Sequence, residues 1–150
     1  MWQKRERWAA MDKTVVLYMR LSDEDDNLAA HEESNSISHQ RKLMLDHIQK
    51  LPELKDCNII EFADDEYSGA DFNRPDFVKM MELVKAGKIQ VIVTKDYSRL
   101  GRDYLEVGNY MECIFPVLQV RYISVNDSYD SANSFGSTGG MSVALKNLVN

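Results

Sequence analysis

Short apolar runs alternate with amphipathic stretches along this chain. Residues 14–20 (TVVLYMR) are β-branched and apolar and predict a buried strand. Residues 21–35 turn polar and acidic, with Asp23, Glu24, Asp25 and Asp26 in succession, and predict a loop. Residues 36–50 place Ile37, Met44, Ile48 and Leu51 at helical spacing behind a Ser/Asn cluster suited to capping, and Pro52 ends the helix. A second strand is expected over 58–63, followed by a loop with Ser68-Gly69. Asn73 can cap the next helix, whose first turn carries Pro75 and whose apolar face is Phe77, Met80, Met81 and Val84. Gly87 is its natural terminator. Residues 89–94 (IQVIVT) predict a third strand and 120–125 (VRYISV) a fourth. Between them a helix starts at Asp103, with Tyr104, Val107, Tyr110, Met111 and Ile114 on one side. Residues 128–140, rich in Ser, Gly and Asn, predict a flexible loop. Residues 141–149 begin another helix, striped by Met141, Leu145, Leu148 and Val149.

Strand and helix in alternation predict an α/β fold: a three-layer sandwich with a mostly parallel, four- to five-stranded sheet flanked by helices. Ligands on such sheets bind at the carboxyl ends of the strands. The expected organisation is a leader or appended extension over 1–13, a domain over 14–140, and the start of a cut-short helix over 141–150.

Composition narrows the class. With 150 residues, 44% hydrophobic and 28% charged, one globular domain is expected. Cys57 and Cys113 lie far apart, which argues against a disulfide framework or zinc site. No apolar run can span a bilayer, and the N-terminus lacks a secretion signal, so a cytoplasmic setting is expected. The net charge of −6 is unusual for a self-sufficient DNA-binding domain, which must neutralise phosphates. Any contact with nucleic acid has to be local.

Two segments carry candidate chemistry. Alternation along the first strand puts Tyr18, Arg20 and Ser22 on one side. An arginine ending an apolar strand needs an anion or carboxylate partner, so the segment reads either as a serine beside a phosphate-binding guanidinium or as a salt-bridged arginine before a turn. After the third strand, Lys95, Arg99 and Arg102 crowd into TKDYSRLGRD. A helical turn would put Arg99 and Arg102 on one face, at the start of a helix whose N–H groups favour anions. The alternative is a solvated basic turn balanced by Asp96 and Asp103. Together, a serine and three arginines on one sheet edge describe a site that attacks a phosphodiester.

The ordered set Tyr18-x-Arg20-x-Ser22, Ser38-His39-Gln40-Arg41, Ser68-Gly69, Arg74-Pro75-x-Phe77 and Ser98-Arg99-Leu100-Gly101-Arg102 resembles the catalytic domain of the serine recombinases, the resolvase/invertase family. The tail from Asn126 looks like the large members found on Gram-positive mobile elements. The resemblance implies that Ser22 attacks a DNA phosphodiester, leaving a 5′-phosphoserine link and a free 3′-hydroxyl, and that Arg20, Arg99 and Arg102 bind the scissile phosphate. Tyr18, Gln40, Arg74, Lys95 and Ser98 match supporting or phosphate-binding positions. No metal or cofactor is implied. The implied partners are double-stranded recombination sites, a homodimer and synaptic tetramer of the whole protein, and an accessory directionality factor. One departure stands out: small resolvases carry Asp where this chain has Ser98, so a carboxylate role at that position has no owner. Asp96 is near it in sequence.

Other patterns carry rival readings. A flavodoxin-like phosphate-binding or signalling domain would use the same sheet edge without covalent chemistry. A metal-dependent nuclease would need Asp64, Asp65 and Glu66 to converge, which alternation along a strand opposes. The run Asp23–Asp26 lacks the glycine and distal glutamate of a calcium loop. His31, His39 and His47 read as surface residues.

Overall fold

The computed structural model describes residues 13–21, 36–65, 74–101 and 103–133. Ser22, the acidic loop, Ser68-Gly69, Asn73, Arg102 and the expected helix from Met141 all lie outside them.

Among the described residues the elements run β1 (Thr14–Leu21), α1 (Ile37–Gln49), β2 (Asn58–Asp65), α2 (Pro75–Lys85), β3 (Val91–Thr94), a 3-10 turn (Tyr97–Arg99), α3 (Tyr104–Asn109), a π-helical segment (Tyr110–Ile114), α4 (Phe115–Leu118), β4 (Arg121–Ser124) and β5 (Tyr129–Asp130). The sheet order is β2-β1-β3-β4-β5. The first four strands are parallel, and β5 pairs antiparallel with β4.

Alternation along β1 sorts the layers. Val15, Leu17 and Met19 face α1, joining Met44 and Ile48 with Leu54, Val91, Val93 and Ile123. Val16 and Tyr18 face the other way, onto Phe77, Met80, Met81 and Val84 of α2 and Val107, Met111 and Phe115. The result is the expected three-layer α/β sandwich. Burying a side chain of this size stabilises by about 1.5–3 kcal/mol, and Val15 to Tyr18 are completely buried. β1 is therefore a main source of the fold's stability.

Two expectations are corrected. Residues 129–130, placed in a flexible loop, form β5. The Tyr129 ring packs 6.0 Å from both Tyr97 and Tyr122, and Arg121 holds both carboxylate oxygens of Asp130, at 2.9 and 2.6 Å. A two-residue strand held by side chains leaves no periodicity to read. Tyr104 is not on the buried side of its helix; it is 46% exposed. The helix from Tyr104 to Leu118 is also not uniformly α. Pro116 has no N–H, and its ring would meet the carbonyl four residues back. The ladder widens just before it, so that the Phe115 N–H reaches the Tyr110 carbonyl.

Candidate active site

β1 and β3 pair only from Val15–Leu17 against Val91–Val93. Beyond Leu17 the side of β1 that faced β3 is open, and side chains take over the backbone groups that a strand would have satisfied. Gln40 of α1 does this for Arg20. Its Oε1 accepts the Arg20 N–H at 3.3 Å and its Nε2 donates to the Arg20 carbonyl at 3.1 Å. Gln40 is fully buried on the stripe of Met44 and Ile48. An amide on an otherwise apolar stripe was the available sequence signal.

The same carbonyl accepts Arg99 Nη1 at 2.6 Å. In return Arg20 Nη2 donates to the Ser98 carbonyl. Arg99, from the turn after β3, thus holds the Arg20 backbone, and Arg20, from the carboxyl end of β1, holds the carbonyl just before Arg99. Both are buried, Arg20 at 6% exposure and Arg99 at 5%. Lys95, which follows β3, is also buried, and its carbonyl accepts the Asn126 N–H at 2.8 Å.

The turn bearing Arg99 is braced from three directions. Asp127, after β4, accepts the Tyr97 N–H at 2.8 Å and the Ser124 hydroxyl at 2.7 Å. Arg74, at the start of α2, donates to the Leu100 carbonyl at 2.6 Å and to Glu106 at 2.9 Å, with its guanidinium 3.7 Å above the Phe77 ring. Gly101 lies against α3: a Cβ there would meet Val107 Cγ2 at 3.0 Å and the Val107 nitrogen at 3.2 Å. Ser98 is exposed and donates its hydroxyl to Asp96.

The helix that follows Arg74 is capped by a carboxylate that sequence reasoning set aside. Arg74 makes no side-chain cap for α2. Asp64 caps the helix from β2 instead, with Oδ1 accepting the Asp76 N–H at 2.9 Å and Oδ2 the Phe77 N–H at 2.9 Å. The Ala63 N–H in turn donates to Asp76 Oδ2 at 3.2 Å. Tyr18, also fully buried, gives its hydroxyl to Asp64 Oδ2 at 2.7 Å. The signal for Asp64 was a charge continuing the face of Ile60 and Phe62. With both oxygens engaged at a helix N-terminus, Asp64 does not converge with Asp65 as the nuclease reading requires. Among the described residues no cluster of three His, Cys, Asp or Glu side chains can hold a metal.

Burial first, then the hydrogen bond to Asp64, pushes the Tyr18 phenol far above its ordinary range. Burial does the same for Tyr97, with the Asp127 charge adding to it, and for Tyr122. An acid whose pKa rises on folding favours the folded state fully below its unfolded value, and that contribution is lost as pH climbs above it. Melting temperature is therefore expected to fall once pH exceeds the ordinary phenol value of 10.0, with phenolate absorbance from these rings appearing only as structure is lost. Titration of the three rings near that value in the folded protein would contradict this.

The pattern belongs with known proteins. The family model described as "Resolvase, N terminal domain" matches residues 15–143. Among solved structures, a resolvase family site-specific recombinase from Streptococcus pneumoniae aligns with a TM-score of 0.66 at 25% identity, covering 91% of this chain and 85% of that one. The N-terminal catalytic domain of TP901-1 integrase aligns with a TM-score of 0.61 at 22% identity, covering 91% and 92%. The C-terminal catalytic domain of ISC1926 TnpA, an IS607-like serine recombinase, aligns at 0.55 and 20%, covering 91% and 98%. The last two, at their low identity, speak for the fold alone. None of the curated proteins matches the chain.

Proposed function

Since this chain belongs to the resolvase N-terminal domain family, we propose that Ser22 is the nucleophile with which it, as a serine site-specific recombinase, cleaves and rejoins DNA. The Ser22 oxygen attacks the scissile phosphorus and the 3′-oxygen leaves, so a 5′-phosphoserine link and a 3′-hydroxyl result. The reverse attack by a 3′-hydroxyl rejoins the strand and needs no ATP, because the phosphodiester energy is kept in the link. Arg20, Arg99 and Arg102 hold the phosphate and stabilise the charge that grows on its oxygens. Gln40 and Arg74 position the two arginine-bearing segments, Tyr18 acts through Asp64, and Lys95 and Ser98 support the turn.

The observation that carries this reading is the mutual hold of Arg20 and Arg99. Two buried arginines from separate segments, at the carboxyl ends of β1 and β3, each donate to a carbonyl of the other segment. Ser22 lies two residues beyond one of them and Arg102 three beyond the other. Such a concentration of donors in an acidic chain suits one phosphate rather than a long stretch of DNA backbone. Residues 14–140 form the catalytic unit. It acts in the bacterial cytoplasm on the ends of a mobile element, as a dimer that pairs into a tetramer at synapsis, with an accessory factor setting direction. No helix among the described residues is long and apolar enough to cross a membrane.

The test uses the intact protein on duplex spanning the junctions of the element that encodes it, with chelator and without ATP. A denaturation-resistant adduct is expected at the 5′ DNA end, and mass spectrometry of its digest should find the linked phosphate on the Ser22 peptide. An adduct at the 3′ end, linkage through another residue, or cleavage stopped by chelator would refute the reading.

A further inference from the structure

Asp96 sits where an aspartate ordinarily caps the turn that follows, yet it makes no side-chain cap to residues 97–99. Asp127 takes the Tyr97 N–H instead. The Asp96 carboxylate turns toward the site: its Oδ1 accepts the Ser98 hydroxyl and lies 3.6 Å from Arg99 Nε. Its backbone is held as well, for the Asp96 carbonyl accepts Thr94 Oγ1 at 2.9 Å, and that hydroxyl contacts the Tyr122 hydroxyl at 2.7 Å. We propose that Asp96 is the positioning residue for Arg99 in DNA cleavage, with the Ser98 hydroxyl as the bracket that keeps its carboxylate in place. The proposal rests on the recombinase reading above.

A guanidinium is a planar fork, and which edge it offers a phosphate depends on how its plane is set. The contacts that face Arg99 include the Arg20 carbonyl at Nη1 and the Asp96 carboxylate, 3.6 Å from Nε. Removing Asp96 takes the negative charge away from the Nε edge and with it that bias on the plane. An ion pair of this length with a partly exposed partner contributes little to stability. Its effect falls on orientation, to which phosphoryl transfer is sensitive.

Position 98 has a place in the same geometry. The Ser98 side chain already points at the Asp96 carboxylate, so an aspartate at 98 would put its own carboxylate close to where that of Asp96 now lies. The residue without a carboxylate at 98 and the diverted carboxylate at 96 are one arrangement.

The experiment moves the charge. Asp96→Ala is compared with wild type and with Asp96→Ala combined with Ser98→Asp, using single-turnover cleavage and Ser22-adduct formation on the junction duplex. The nitrogen-15 NMR signal of Arg99 Nε–H is followed without DNA. Asp96→Ala is expected to slow cleavage about 100-fold, the scale of a misplaced catalytic group, with DNA binding retained. The double variant should recover most of that loss, and the Arg99 signal should shift in the single variant and return in the double. Cleavage by Asp96→Ala at the wild-type rate, a double variant no faster than the single, or an unmoved Arg99 signal would each overturn the proposal. If wild type forms no Ser22 adduct, the recombinase reading fails instead, and the Arg99 signal alone still decides whether Asp96 sets that side chain.

Discussion

Ser22→Ala is expected to lower strand cleavage by on the order of 10⁴-fold or more, as loss of a covalent nucleophile does elsewhere, and to leave no protein–DNA adduct. The size follows from the composition of the site. Arg20 and Arg99 supply donors but cannot supply an attacking oxygen, since a guanidinium carries only nitrogens. The hydrogen bonds between their segments end on the Ser98 and Arg20 backbone carbonyls, which a change of side chain at 22 does not remove. The variant should therefore keep its fold and its phosphate-binding surface while losing the chemistry. The measurement pairs cleavage with a mobility-shift titration on the same duplex. Binding near wild type with no adduct is the expected pair of results. Adducts that persist would place the nucleophile elsewhere.

Asp64→Ala is expected to lower stability by about 3–5 kcal/mol, the range for removing one member of a buried, charged hydrogen-bonded set. Three donors lose their acceptor together: the Asp76 and Phe77 N–H groups and the Tyr18 hydroxyl. Two of these are orphan donors of the α2 N-terminus, which has no other side-chain cap from its own N-cap residue. At roughly 2–4 °C per kcal/mol for a chain of this size, the melting temperature should fall by about 10 °C. Cleavage should suffer beyond the loss of folded protein, because the start of α2 carries Arg74, which holds Leu100 and Glu106. Asp64→Asn, keeping one acceptor oxygen, should fall between. A melting temperature unchanged in Asp64→Ala would show that water replaces the carboxylate at no cost.

How far each feature was legible depended on the range of the interactions behind it. β1 and the buried face of α2 were readable because burial on both faces demands a continuous apolar run, and burial of one helical stripe demands spacing of three and four. The meeting of the Arg20 and Arg99 segments was readable because charged residues at the ends of apolar strands are few, and α/β sheets place such ends together. Asp64 and Asp127 were not, since an aspartate's local surroundings say nothing about which distant N–H it will meet. Asp64 meets the first turn of α2 only because β2 lies beside β1 at the sheet edge, under that helix.

Periodicity, charge and spacing along the chain were therefore sufficient for the layered α/β class, the parallel strands and the arginine-bearing ends. These are local properties, written in neighbours a few residues apart. The pairing of Arg20 with the turn at 97–99, the remote capping of α2 by Asp64, the strand β5 and the turning of Asp96 toward Arg99 came with the folded chain. Each depends on groups far apart in sequence whose separation is set by strand order and register, and hydrogen bonds act only over a few ångströms.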